Sequence, residues 1–202
     1  MYSIDEIRAN YQDFTDARII RIAKQESQSL KREVVPVLLA EIERRGLGAD
    51  LMQWVEAETR QLSSPQRAAL LKMVTSSTCP SCKQNNELRG YRYDTLIGAL
   101  ITSFDSFQTS IICSNCGKKD LRKSLSLSLL LGWWSVPTFL RMPFLLVGKL
   151  NDYVKKDQVS ADILNGLIDQ HKGRILLSDN AEKEIGLIIQ EFNRANEEEY
   201  LS

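Results

Sequence analysis

The chain has 202 residues, 43% of them hydrophobic and 26% charged, and its 26 basic and 26 acidic side chains cancel to a net charge of zero. That balance excludes wholesale disorder and argues against a protein whose main work is gripping phosphate backbones, which would carry a basic excess. The length admits one domain or two small ones, and a single histidine leaves little room for histidine-based catalysis.

Residues 1–74 carry eleven basic and eleven acidic side chains and read as a small helical module. The opening Met1-Tyr2-Ser3-Ile4-Asp5-Glu6 is too polar for a secretory signal, so a cytoplasmic, reducing setting is expected. Thr15 or Asp16 caps a helix bearing Ile19, Ile20, Ile22 and Ala23. A second helix covers roughly residues 30–45, with Val34, Val35, Leu38, Leu39 and Ile42 at three- and four-residue steps, Pro36 in an early turn and Gly46 as its stop. A third runs over about residues 50–61, with Leu51, Trp54 and Val55 on one side. Ser64-Pro65 forms a cap and first-turn pair for a fourth that ends near Val74. Amphipathic stripes of this kind usually face their own core, and a docking surface for a partner protein is the other reading.

Residues 75–123 hold all four cysteines, in two Cys-x-x-Cys pairs: Cys79-Pro80-Ser81-Cys82 and Cys113-Ser114-Asn115-Cys116. A two-residue gap turns both sulfurs of a pair inward on a tight loop, and two such loops supply the tetrahedral sulfur set that Zn²⁺ accepts. Gly117 offers a positive φ after the second pair, and Pro80 stiffens the first. Two disulfides would need an oxidising compartment. A thioredoxin-like motif would explain one pair but not two. Iron in an all-thiolate site remains the alternative metal, because ligand type alone does not separate the two. Residues 87–93 and 107–113 alternate as strands do, and the thirty residues between the pairs call for a hairpin or a third strand, with residues 95–101 the candidate strand and Asp105-Ser106 a turn.

With those residues in view, the segment 79–116 resembles the zinc-ribbon superfamily, short antiparallel strands held by two metal-binding knuckles. The resemblance implies one structural Zn²⁺ on Cys79, Cys82, Cys113 and Cys116. It implies no particular function, since ribbons read nucleic acid, join proteins or simply staple a fold.

Residues 117–156 carry eight basic and two acidic side chains, and they also contain the most hydrophobic run of the chain. Residues 125–140 hold no charge, Arg141 interrupts, and residues 142–148 continue the apolar run. A straight membrane-crossing helix needs about 20 apolar residues, and Pro137 and Pro143 would break one here. Two readings stand for residues 124–150. In the first, a broken helix or shallow hairpin turns near residues 133–137 and lies at the cytoplasmic face of a membrane. Trp133 and Trp134 would then sit at headgroup level, and Lys118, Lys119, Arg122, Lys123, Arg141 and Lys149 would meet anionic lipid. In the second, the segment is a buried core. Leu131-Gly132-Trp133-Trp134-Ser135-Val136-Pro137 is similar to the hydrophobic segment of uncharacterised bacterial proteins in which a zinc ribbon runs into a membrane-proximal stretch, and that resemblance implies membrane proximity but no catalytic residues.

Residues 151–202 are acidic at the end and helical. Ser160 caps a helix through Ile163, Leu164, Leu167 and Ile168 that stops at Gly173, with His171 at its end; residues 174–177 are then extended. Ser178, Asp179 or Asn180 caps a last helix bearing Ile185, Leu187, Ile188, Ile189 and Phe192.

The whole is expected to be α+β and mostly helical, in four parts at 1–74, 75–123, 124–150 and 151–202. No phosphate loop and no His-Glu-x-x-His is present, and four cysteines spent on one metal leave no open coordination position, so no catalytic residues are assigned. Three function classes follow. The foremost is a non-enzymatic, membrane-associated adaptor for an unknown protein partner. A nucleic-acid-binding ribbon is the second, with Arg89, Tyr91, Arg92 and Tyr93 meeting bases and phosphates. A domain merely stapled by its metal is the third.

Overall fold

The structure, a computed structural model, describes residues 3–99, 102–131 and 155–201. It is mostly helical with one two-stranded antiparallel sheet, an α+β arrangement as the sequence indicates. Contacts divide the chain into two compact units, one of Met1–Arg67 with Gln170–Glu184, the other of Ala68–Asp169 with Ile185–Ser202.

The first unit opens with a helix the sequence reading passed over, α1 (Ile4–Asp13). Ser3 and Glu6 build a reciprocal cap: the Glu6 N–H donates to Ser3 Oγ, and the Ser3 N–H donates to the Glu6 carboxylate at 2.6 Å. Thr15, of the two candidates, caps α2 (Asp16–Arg21), its hydroxyl accepting the Arg18 N–H. A widened π turn at Ile22–Glu26 and a 3₁₀ turn at Ser27–Ser29 carry the chain on, burying Ile22 and Ala23. Then come α3 (Val35–Arg45) and α4 (Ala49–Thr59). Gly46 ends α3 at φ 65°, a left-handed position where a β-carbon is disfavoured. The apolar stripes close on themselves: Ile19, Leu38, Ile42 and Val55 are completely buried in one cluster with Tyr11, Val37 and Leu51.

Arg45 ties this unit together. Its guanidinium donates to the carbonyls at the end of α1, those of Tyr11 at 2.8 Å, Gln12 at 3.0 Å and Phe14 at 2.6 Å, of which Tyr11's also accepts the Phe14 N–H. It also pairs with Asp16 at 2.8 Å and with Glu41, which Arg44 grips as well. The Arg44 hydrogen bonds, reinforced by Arg45 against a burial cost, hold the Glu41 carboxyl at about 2.

The second unit begins within α5 (Ser64–Ser76). Its cap is Ser63, one residue earlier than the sequence indicates, with the Gln66 side chain accepting the Ser63 N–H and hydroxyl. Two strands follow, β1 (Leu88–Ala99) and β2 (Thr102–Cys113), in register from Leu88 opposite Cys113 to Ala99 opposite Thr102. The expected third strand is therefore absent: residues 95–99 extend β1, and Leu100 and Ile101 lie outside the described residues. Asp105 and Ser106, expected as a turn, pair with Leu96 and Thr95 inside the ladder. Two long arms need no third strand to fill a thirty-residue spacer.

After the sheet come α6 (Ser114–Leu131), α7 (Lys156–Leu177) and α8 (Ala181–Leu201). Helix α6 runs unbroken across the boundary expected at residue 123. In α7, Ser160 is not a cap; it lies inside the helix, buried, and its hydroxyl accepts the Gly90 N–H at 3.0 Å. Gly173 is not a stop either, so residues 174–177 are helical and His171 is interior to the helix rather than terminal. A β-carbon at Gly173 would overlap the Glu58 carboxylate, so the glycine permits close approach instead of ending the helix. Asn180 caps α8 by accepting the Lys183 N–H. Both outer edges of the sheet are tied by side chains: Ser160 at Gly90, and Asn193, whose amide accepts the Ile111 N–H at 2.8 Å and donates to the Ile111 carbonyl at 3.0 Å. No helix among the described residues is long and apolar enough to cross a membrane.

Two outcomes test these contacts. Because the folded pKa of Glu41 lies below its ordinary 4.5, its stabilisation is complete above about pH 4.5 and is lost as the pH falls toward 2. Acid denaturation should show that loss in the native chain, and Glu41→Gln should flatten the pH dependence across the window. In the second unit a β-carbon on Gly90 would come 2.6 Å from Ile163 Cβ, so Gly90→Ala should lower stability in denaturant by about 1–3 kcal/mol. Adding Ile163→Ala should relieve the overlap, making the two losses less than additive.

Candidate metal centre

The first knuckle is shaped by its own backbone. The Lys83 N–H donates to the Cys79 carbonyl at 2.8 Å, and the Cys79 N–H donates to the Gln84 carbonyl at 2.9 Å. Lys83 takes φ 60°, so the left-handed residue of this site is a lysine in the first knuckle. Gly117, expected to supply a positive φ, is helical instead. What it supplies is room, because a β-carbon there would lie inside the Tyr91 ring.

The second knuckle is a strand-to-helix junction. Cys113 is the last residue of β2, paired with Leu88, and Cys116 lies in the first turn of α6. The partial positive charge of a helix N-terminus favours thiolates there. The register brings Cys113 back beside the start of β1, six residues after Cys82, and so closes the spacer. All four Sγ atoms lie within 4.8 Å of one another. Cys82 and Cys113 are separated by 3.7 Å, far beyond a disulfide and close to the edge of about 3.8 Å in a tetrahedron with Zn–S bonds of about 2.3 Å. Cys79 and Cys113 are buried while Cys82 reaches the surface, and the Cys113 N–H donates to Cys79 Sγ at 3.4 Å. The cluster is positioned to hold a metal ion and is compatible with a zinc-ribbon ligand set, although its second knuckle leads into a helix.

Without an ion, Cys79, Cys82 and Cys116 are shifted in different directions. Burial raises Cys79, but hydrogen bonds from the backbone of Cys82, Cys113 and Ser81 outweigh it and bring it to about 7. Cys82 takes a backbone hydrogen bond at Gln84 that lowers it, yet partial burial and the Cys79 and Cys113 sulfurs leave it raised. For Cys116 the Ser81 hydroxyl lowers the pKa, while burial and the Cys113 and Cys82 sulfurs push it up to about 12.

The other residues singled out from sequence are scattered. Lys118, Lys119, Arg122 and Lys123 are all exposed on α6. At 100° per residue they span an arc of about 140° of the helix surface, and no carboxylate pairs with them among the described residues. Trp133, Trp134, Arg141 and Lys149 lie outside the described residues, as does the expected turn at 133–137. Arg89 pairs with Asp157 at 2.9 Å, and Arg92 is exposed. Tyr91 and Tyr93 stack on each other, interplanar angle 6°, and Tyr93 is buried with its hydroxyl 3.5 Å from the Gly117 carbonyl. The two rings thus pack the hairpin onto α6. Sequence reading took Ser160 for a helix cap and missed Asn193, whose signal was only a polar residue on an otherwise apolar helix face. No protein-family model, curated protein or solved structure matches the chain.

Metal binding must displace the protons that Cys82 and Cys116 hold at neutral pH. Metal affinity should therefore rise with pH, and acidification should release the ion with proton uptake measurable by titration. Cys113→Ser, which removes a buried ligand, should abolish stoichiometric metal and loosen the hairpin, read by metal analysis and amide exchange.

Proposed function

We propose that the protein is a non-enzymatic adaptor in which one structural Zn²⁺, held by Cys79, Cys82, Cys113 and Cys116, fixes the β1–β2 hairpin to the first turn of α6. The carrying observation is the gathering of four sulfurs, and of no imidazole or carboxylate, at that junction. Four thiolates make a closed set with no position for a reacting water, which favours a structural role over a catalytic one. Helix α6 then presents its arc of four cations and continues into the uncharged run that reaches residue 140. Cationic residues beside an apolar segment fit the cytoplasmic face of an anionic bilayer, each worth about 1 kcal/mol near such a surface. The helices of the first unit serve a protein partner in this reading. A nucleic-acid role is disfavoured by the burial of Tyr93, which leaves no free ring face for a base.

Sedimentation with vesicles of phosphatidylserine and phosphatidylcholine tests the membrane role. Intact protein should pellet with them at low salt and less at high salt. Lys118→Glu with Arg122→Glu should weaken binding by at least roughly tenfold, and deletion of residues 125–147 should abolish it. A chain that stays in the supernatant at low salt with every vesicle composition would end the membrane role.

A further inference from the structure

We propose that the same four-cysteine centre is a peroxide-sensitive switch in which Cys82 is the thiolate that reacts and Cys113 the one that resolves it. The inference rests on the zinc reading above and assigns the sulfurs unequal roles. Exposure separates them first: Cys82 is at the surface, while Cys79 and Cys113 are buried, so an oxidant in solution meets Cys82 before either. Distance separates them next, because Cys82 Sγ already lies 3.7 Å from Cys113 Sγ. Forming a disulfide of about 2.05 Å asks the sulfurs to close by about 1.7 Å, within reach of a side-chain rotation in the first knuckle. The other two sulfurs lie in the same cluster, but each has a further hydrogen-bond partner. Cys79 Sγ accepts the Cys113 N–H, and Cys116 is in a helical turn with its sulfur on the Ser81 hydroxyl.

The oxidant is a peroxide. The Cys82 thiolate attacks one oxygen of hydrogen peroxide, the O–O bond breaks, and the products are a Cys82 sulfenic acid and hydroxide. The Cys113 thiolate then attacks that sulfur, the S–O bond breaks, and hydroxide leaves. Two protons from solvent convert both hydroxides to water. Two electrons have passed from the two sulfurs to the peroxide, and one disulfide remains. Half of the metal donors are consumed, so the ion is released. The new bond ties the first knuckle to the base of β2, as the metal did, and it leaves Cys116 only the Ser81 hydroxyl as its partner across the junction. The oxidised hairpin thus stays closed, while α6 loses its metal tie and is held by the packing of Tyr91 and Tyr93, so the cationic arc is presented less rigidly.

The test uses the full chain, reduced and freed of reductant, with zinc measured before oxidation. Hydrogen peroxide is then titrated against a chromogenic zinc indicator, and disulfides are mapped by mass spectrometry of peptides. Release of the bound zinc in step with a Cys82–Cys113 disulfide is expected. Cys82→Ser, which also removes a ligand, is read by thiol loss rather than zinc release and should slow oxidation of the remaining cysteines by roughly tenfold, since exposed thiolate sets the rate, whereas Cys116→Ser should still form the Cys82–Cys113 bond. Zinc lost with a Cys79–Cys82 or Cys113–Cys116 bond instead, or zinc retained under peroxide that oxidises a free thiol, would overturn the switch while leaving the structural zinc intact. Reduced protein that holds no zinc would overturn the metal reading alone, and peptide mapping would still decide the Cys82–Cys113 pairing.

Discussion

The second unit depends on one register, Leu88 opposite Cys113. Slipping the ladder by one residue would turn every side chain to the other face of the sheet. Cys113 would then point away from Cys79 and Cys82, and the rings of Tyr91 and Tyr93 would leave α6. Gly90 would no longer offer its N–H to Ser160. The sulfur cluster and the ladder therefore support each other: the pairing delivers Cys113 to the first knuckle, and a metal held there would forbid the slip. A two-stranded hairpin is marginal by itself in water, so this mutual support is what allows arms of twelve residues.

The first unit solves a different problem without a metal. Helix ends leave carbonyls short of partners, and three carbonyls converge where α1 ends. Arg45 reaches them from the last turn of α3, and its own charge is balanced by Glu41 and Asp16. An arginine at that place does through five fixed donors what a lysine could not, because a single ammonium cannot fork to several carbonyls in one plane. Packing and polar satisfaction thus agree around Ile42 and Leu38, which bury their side chains one turn away.

The sequence disclosed most where chemistry is local. The two Cys-x-x-Cys pairs name the four sulfurs that gather into one cluster, because spacing alone turns both sulfurs of a pair inward. Gly46 and the periodic stripe before it mark the end of α3 for equally local reasons. Reading failed where a distant contact overrides local preference. Gly173 looks like a helix stop, yet it lies inside α7, where the Glu58 side chain, more than a hundred residues earlier, occupies the space a β-carbon would take. Asp105-Ser106 looks like a turn, yet pairing with Leu96 and Thr95 keeps it extended. Gly117 illustrates the same limit at the centre itself: its conformation is ordinary, and its reason is the ring of Tyr91. The helical second knuckle escaped notice because Ser114 and Asn115 suit a loop as well as a helix start.

Asn193 has a consequence in time as well as in space. Its amide covers the outer edge of β2 at Ile111, 82 residues earlier in the chain. An emerging polypeptide therefore completes its four sulfurs at Cys116 long before the cover for that edge is synthesised. During that interval the hairpin presents an open strand to every neighbouring chain, the arrangement from which edge-to-edge aggregation begins. Early capture of a metal ion would hold the ladder in its native register through the exposed period, and would guard that edge during synthesis as well as staple the fold.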